Sequence, residues 1–227
     1  MQKIKEIFWI NYTKQLKSIS SKFDFDWKTT NWPLHIWGWI VFDKKDISKI
    51  KWIIIWEAPW ADEVKNSIPF IWKAWQNLKS NINNENILYI TNSIKFRPIE
   101  KTDKGYKNRT PTQKETEFSS LFLKKELFYL ENIGINKILL VWSKALDTML
   151  FICKNSPSKI LINKHKIDLK ELKKLKTSEI VNKWFRFEIE WKIFDCYLIF
   201  HSSPLNYNRK ERRKAIIEWI KIFEDSL

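Results

Sequence analysis

Glycine is nearly missing from this chain, with 3 in 227 residues against 14 tryptophans. Average usage is about 7%, so roughly 16 glycines would be expected. An α/β chain needs glycine wherever the backbone takes a positive φ or passes close to another group, and 3 cannot easily serve. Glycine and tryptophan together number 17, close to the ordinary glycine share. The codon UGA is read as tryptophan in some genetic codes and as glycine in others. Many of the tryptophans are therefore expected to stand where the protein carries glycine. The alternative is a tryptophan-rich surface for stacking bases, and positions decide between the two.

Other absences narrow the class. Two cysteines, Cys153 and Cys196, make neither a disulfide framework nor a cysteine-based metal site. No run of about 18 apolar residues exists, so no membrane span is expected. Met1–Ser20 mixes charged and apolar residues and lacks the apolar core of a signal peptide. These features lead to the expectation of a cytoplasmic, monomeric protein of one domain over residues 1–227, with no metal or cofactor. Even with tryptophan read as glycine, no Walker or dinucleotide-binding pattern emerges, which argues against a generic nucleotide binder.

What is present is positive charge. Lysine and arginine number 41 against 26 acidic residues, a net of +15. Such an excess favours a polyanion, either nucleic acid or an anionic membrane surface. A host bias toward lysine codons accounts for the charge equally well. Hydrophobic residues at 44% and charged residues at 30% are ordinary for a globular chain.

Periodicity predicts an amphipathic helix over Met1–Ser20 and an irregular lead-in to residue 46. Strands are expected at Lys51–Trp56, whose short apolar run is β-branched, and at Asn86–Asn92, Lys137–Val141, Phe185–Glu190 and Lys192–Phe200. Helices are expected at Trp72–Ser80, Gln113–Asn132, Ser143–Cys153 and Asn206–Phe223, with loops over 56–71 and 97–112. Residues 155–183 read as a lysine-rich surface insertion with a short helix near Asp168–Lys176. Strands alternating with helices imply an α/β architecture, a parallel sheet with helices on both faces.

Several segments carry chemistry. Trp56–Glu63 follows the first strand, and Ile68–Leu78 follows soon after. With Trp56, Trp60, Trp72 and Trp75 read as glycine, they become GEAPGADE and IPFIGKAGQNL. Tyr89–Pro98 (YITNSIKFRP), Asn108–Thr112 (NRTPT), Ile138–Leu146 and His201–Asn206 (HSSPLN) come next in order. Together these resemble the family 4 type of the uracil-DNA glycosylase superfamily, in order from about Trp52 to Phe223. Four tryptophans on four expected glycine positions argue for recoding and against a stacking surface.

The resemblance implies three α/β/α layers around a central, mainly parallel four-stranded sheet, and an enzyme of base excision repair that hydrolyses the N-glycosidic bond of uracil in single- or double-stranded DNA. The base would be flipped into a pocket. Glu57 would position water and stabilise the sugar cation. His201 would donate to the departing base's O2, where negative charge develops. Asn92 would pair with the N3–H and O4 edge, which cytosine presents reversed. Phe70 would stack on the base. Position 60, near C5 of the base, calls for a small residue, so an indole at Trp60 would fill the pocket. Ser203 would bind a phosphate, Leu205 would fill the vacated stack, and Arg209, with Arg212 and Arg213, would contact the backbone. The residues also admit plainer parts: a loop carboxylate, a core histidine, a turn asparagine, a core phenylalanine and a helix staple.

Two departures stand out. Family 4 members usually bind an iron–sulfur cluster through four cysteines; here Phe96 and Ser119 fall at or near such positions, and no cluster is expected. Ser202 replaces the usual proline of the HPSP loop. The competing expectations are a glycosylase for another deaminated base, such as hypoxanthine or xanthine, and a catalytically inert nucleic-acid-binding protein of the same fold.

Overall fold

The structure, a computed structural model, describes residues 47–66, 70–84, 87–175, 177–181 and 183–225. The helix expected over Met1–Ser20 and the lead-in to residue 46 lie outside the described residues.

The first strand, β1 (Trp52–Trp56), is buried along its whole length. It lies between β2 (Leu88–Asn92) and β5 (Lys137–Val141), parallel to both, with Ile54 level with Ile90 and Leu139. β9 (Lys192–Ile199) continues the parallel set beside β5. Strands covered on both faces read as continuous apolar runs, which is why Trp-Ile-Ile-Ile-Trp and Lys-Ile-Leu-Leu-Val belong here. The expected parallel quartet is thus present, and three antiparallel strands extend it. β8 (Trp184–Ile189) pairs with β9, β6 (Ser158–Ile162) with β8, and β7 (His165–Ile167) with β6. The sheet order is β2-β1-β5-β9-β8-β6-β7.

The residues read as a surface insertion therefore supply two strands of the main sheet. No glycine marks their turn, Asn163-Lys164, so the hairpin left no ordinary signal in the chain. The loop expected over 97–112 contains a separate hairpin, β3 (Ile99–Thr102) with β4 (Gly105–Asn108). The loop expected over 56–71 contains a short helix, α1 (Ala61–Asn66).

Helices cover both faces. α2 (Lys73–Lys79) and α8 (Lys210–Asp225) bury Ala74, Leu78, Ile216, Ile220 and Phe223 against one face of β1, β2 and β5. α3 (Gln113–Asn132) and α4 (Ser143–Lys154) bury Leu123, Leu127, Leu130, Leu146 and Met149 against the other. α3 begins at a capping box in which Thr112 and Glu115 satisfy each other's backbone amides. The Arg109 guanidinium holds Glu115 through two bonds of 2.6 and 2.7 Å. α5 (Leu169–Lys174) starts at a second such box built on Asp168 and Glu171; α6 (Thr177–Ile180) follows it. The expected C-terminal helix is two helices, α7 (Pro204–Tyr207) and α8. Among the described residues no helix is long and apolar enough to cross a membrane.

Candidate active site

All four parallel strands point their carboxyl ends toward one edge of the sheet, where open α/β folds form their sites. β1 ends at Trp56, directly paired with Asn92 at the end of β2. The chain then turns under tight control. The Trp56 carbonyl accepts from Ser93 N (2.7 Å), and the Glu57 carbonyl accepts from Ile94 N (2.8 Å) and Ser93 Oγ (2.9 Å). Glu57 and Asn92 are thereby fixed side by side. β9 runs out at Ile199, whose carbonyl accepts from Trp142 N (3.0 Å), so the ends of β5 and β9 are joined and His201 emerges beside them.

These side chains converge. Glu57, Trp60, Phe70, Asn92, His201 and Ser203 all line one cavity of about 320 Å³, at the small end of ligand pockets. Asn92 is only 3% exposed, and no described residue bonds to its side-chain amide. A buried amide ordinarily has partners, so an unpartnered one lining a cavity is poised for a ligand. Leu205 and Arg209 lie outside the cavity. Leu205 is 71% exposed in α7, right after Pro204 on the cavity wall. That exposure speaks against its plainer part as a helix staple. Arg209 is exposed just ahead of α8. Its neighbours are engaged: Arg212 bonds Asn206 and lies over Phe200, and Arg213 lies over Tyr207.

Electrostatics sort the polar groups. Burial raises the Glu57 pKa, with Lys144 opposing and Asp147 reinforcing the rise. Burial depresses His201 to about 4, so its imidazole is neutral at pH 7. Its Nδ1 accepts from Ser203 N at 3.2 Å. The proton of the neutral ring is then on Nε2. Indoles wall this histidine, with Trp56 at 5.3 Å and Trp142 at 6.4 Å between ring centroids.

Ser202, standing where the family has proline, anchors its loop by hydrogen bonds. Its hydroxyl donates to the Ala74 carbonyl (2.7 Å), and its carbonyl accepts from Asn77 Nδ2 (3.0 Å). Asn206 Nδ2 closes the loop on the His201 carbonyl at 2.9 Å.

One residue of the site had no sequence signal of its own. The buried Glu63 carboxylate accepts from Trp60 N (2.9 Å) and Phe70 N (2.6 Å), clamping both ends of the segment that frames the cavity. Burial raises its pKa, while these backbone donors lower it. An acidic residue in a basic chain usually reads as a surface group, and only the folded segment shows what it holds.

Behind Asn92 lies a buried polar cluster. Lys95 Nζ pairs with Glu126 and donates to Thr91 Oγ1 (2.7 Å), and Tyr89 and Thr91 hydroxyls donate to the same carboxylate. Burial lowers the Lys95 pKa, and Glu126 opposes that shift.

Phe96 and Ser119, which the family 4 resemblance puts at or near cluster cysteines, lie close together, since Lys95 N donates to Ser119 Oγ at 3.4 Å next to Phe96. Both are buried, and Phe96 packs on Phe118 at 6.3 Å. Neither supplies a thiolate, so these residues do not fit an iron–sulfur cluster. Cys153 and Cys196 are buried elsewhere in the core, and burial pushes the Cys153 thiol up to about 12.

A family model described as the uracil DNA glycosylase superfamily matches residues 42–223. No curated protein matches the chain.

Proposed function

The chain belongs to the uracil DNA glycosylase superfamily, and from that premise we propose that it removes uracil from DNA by hydrolysing the bond between the base and deoxyribose C1′. The observation that carries the reading is Asn92: a buried amide with no partner among the described residues, lining the same cavity as Glu57 and His201.

In this reading the extruded pyrimidine enters at the carboxyl edge, with its N3–H and O4 edge on the Asn92 amide and its face on Phe70. The C1′–N1 bond breaks with its electron pair going to the base. His201 Nε2–H meets the charge that develops on O2, and a neutral imidazole suits that work because it is a donor without needing a counter-charge. Glu57, as carboxylate, stabilises the sugar cation and takes a proton from the water whose oxygen then bonds C1′, while the departed base anion is protonated by solvent. Ser203 and Arg209 contact backbone phosphates, and Leu205 is positioned to enter the vacated stack.

Recoding of tryptophan to glycine belongs to the same proposal. Trp56, Trp60, Trp72 and Trp75 all line the cavity and take space the base would need. Trp142 has φ 80 and ψ 160, a region essentially reserved to glycine. The Nε1 atoms of Trp52 and Trp56 are buried without partners among the described residues, each a cost of about 1–3 kcal/mol. With these indoles in place, the reading of an inert DNA-binding protein gains its support.

The test is excision from oligonucleotides carrying uracil, hypoxanthine or xanthine. The form with Trp56, Trp60, Trp72 and Trp75 changed to glycine should excise uracil, and Trp60→Gly alone should raise activity. Glu57→Gln in that form should lower the rate by about 10²- to 10⁴-fold, and His201→Ala by about 10²- to 10³-fold. Uracil excision that is insensitive to Glu57→Gln and His201→Ala would refute the assignment. Excision of hypoxanthine or xanthine in its place would move the activity to another base. DNA binding without excision in either form would favour the inert protein.

A further inference from the structure

The β6–β7 hairpin is left unused by the chemistry above, yet strand register carries its tip to the edge where the cavity opens. Ile162 pairs with Phe185, and Phe185 with Cys196 of β9. Beyond that level, Asn163 N donates to the Trp184 carbonyl at 3.1 Å, and Trp184 pairs with Tyr197. The turn Asn163-Lys164 therefore stands near the height of Leu198, just short of Phe200 and His201. It lies two strand spacings from β9, about 10 Å, or about three nucleotides along one DNA strand.

The turn is chemically odd as well. Asn163 and Lys164 take φ 48 and 73, a two-residue turn whose second position strongly favours glycine. A lysine held there is a conformational burden, and strain of this kind gathers at functional sites. Lys164 and Lys166 are both exposed, as is His165 between them. No described residue forms an ion pair with either lysine, whereas Lys159 in β6 is paired with Glu188 at 3.4 Å.

We propose that the β6–β7 hairpin is a DNA-gripping arm, with Lys164 at its tip and Lys166 beside it contacting the phosphates that flank the extruded nucleotide. This rests on the reading of the protein as acting on DNA. Exposed edge lysines also blunt strand-to-strand aggregation, but that task belongs to β7 and leaves a strained lysine in the turn unexplained.

The experiment compares DNA affinity over a range of salt. The parent has Trp56, Trp60, Trp72 and Trp75 changed to glycine and carries Glu57→Gln, so that the base can enter and a uracil-containing duplex is turned over only slowly, and is compared with Lys164→Gly, Lys164→Gly with Lys166→Gln, and the control Lys221→Gln. Lys221 is exposed on α8, near Phe223, which packs on Trp52 at the opposite edge of the sheet. Each lost phosphate contact should flatten the slope of log affinity against log salt by about 0.9, hence about 1.8 for the pair. Lys221→Gln should leave the slope unchanged. Lys164→Gly should weaken binding without lowering the thermal midpoint, because glycine suits the turn better. The arm is overturned if the hairpin variants keep the parent's slope, or if Lys221→Gln flattens it equally. A parent that fails to bind DNA at all would defeat the proposed function itself, whereas a binding parent with unaffected variants defeats the arm alone.

Discussion

Trp142 shows how much one residue can disclose. Its backbone sits at φ 80 and ψ 160, where a side chain costs about 1–3 kcal/mol. Trp142→Gly should therefore raise the melting temperature by a few degrees, about 2–4 °C per kcal/mol for a chain of this size. Trp219 makes the contrast: it lies on α8 with its ring 5.8 Å from Tyr197, so Trp219→Gly should lower the melting temperature. Thermal melts of the two variants would thus separate a displaced glycine from a genuine tryptophan by sign. Glu57 predicts a pH effect at the same scale. Its pKa lies above the ordinary 4.5 and must be passed for the carboxylate to form, whereas His201 is neutral above about 4. Excision should then fall on acidification at a pH above 4.5. A pH–rate profile whose acid limb persists in His201→Ala assigns that limb to Glu57.

At the scale of elements, the end of β2 depends on α3 through a buried charge pair. Removing Lys95 alone leaves the Glu126 carboxylate uncompensated in the core, worth about 3–5 kcal/mol of destabilisation. Lys95→Met should unfold at much lower denaturant, and Lys95→Met with Glu126→Leu should recover much of the loss. Equal destabilisation of the single and double variants in urea melts would contradict the pairing. The strands were legible because β-branched apolar runs in a parallel sheet need no context. The β6–β7 and β3–β4 hairpins were not: one turn lacks glycine, and short, polar, half-exposed strands look like loops. Register, which decides where a hairpin tip ends up, exists only once neighbouring strands pair.

For the whole molecule, burial of titratable groups links stability to pH. His201 binds its proton at about 4 when folded but near 6.5 when unfolded. The unfolded chain then takes up more protons in that interval, so stability present above 6.5 is lost as pH falls toward 4. Glu57 and Glu63 act with the opposite sign, because their folded pKa values are raised: their burial opposes folding once the unfolded carboxyls ionise above 4.5. His201→Gln should therefore lose less stability than the parent between pH 6.5 and 4, as read from denaturation midpoints. An unchanged pH dependence would mean that the imidazole is not buried in solution.

The sequence by itself determined the chemistry on offer: an acid, an amide and an imidazole, each closing an apolar run that had to be a strand, within motifs that single out one superfamily. Those features are local, since residue type and the order of apolar runs survive in an unfolded chain. Only the tertiary structure decided that the three share a cavity, that Glu63 clamps its rim, that Ser202 ties down its loop, and that a lysine-rich segment joins the sheet and reaches the same edge. Those facts depend on strand order and register, which arise when distant segments pair and which no local pattern encodes.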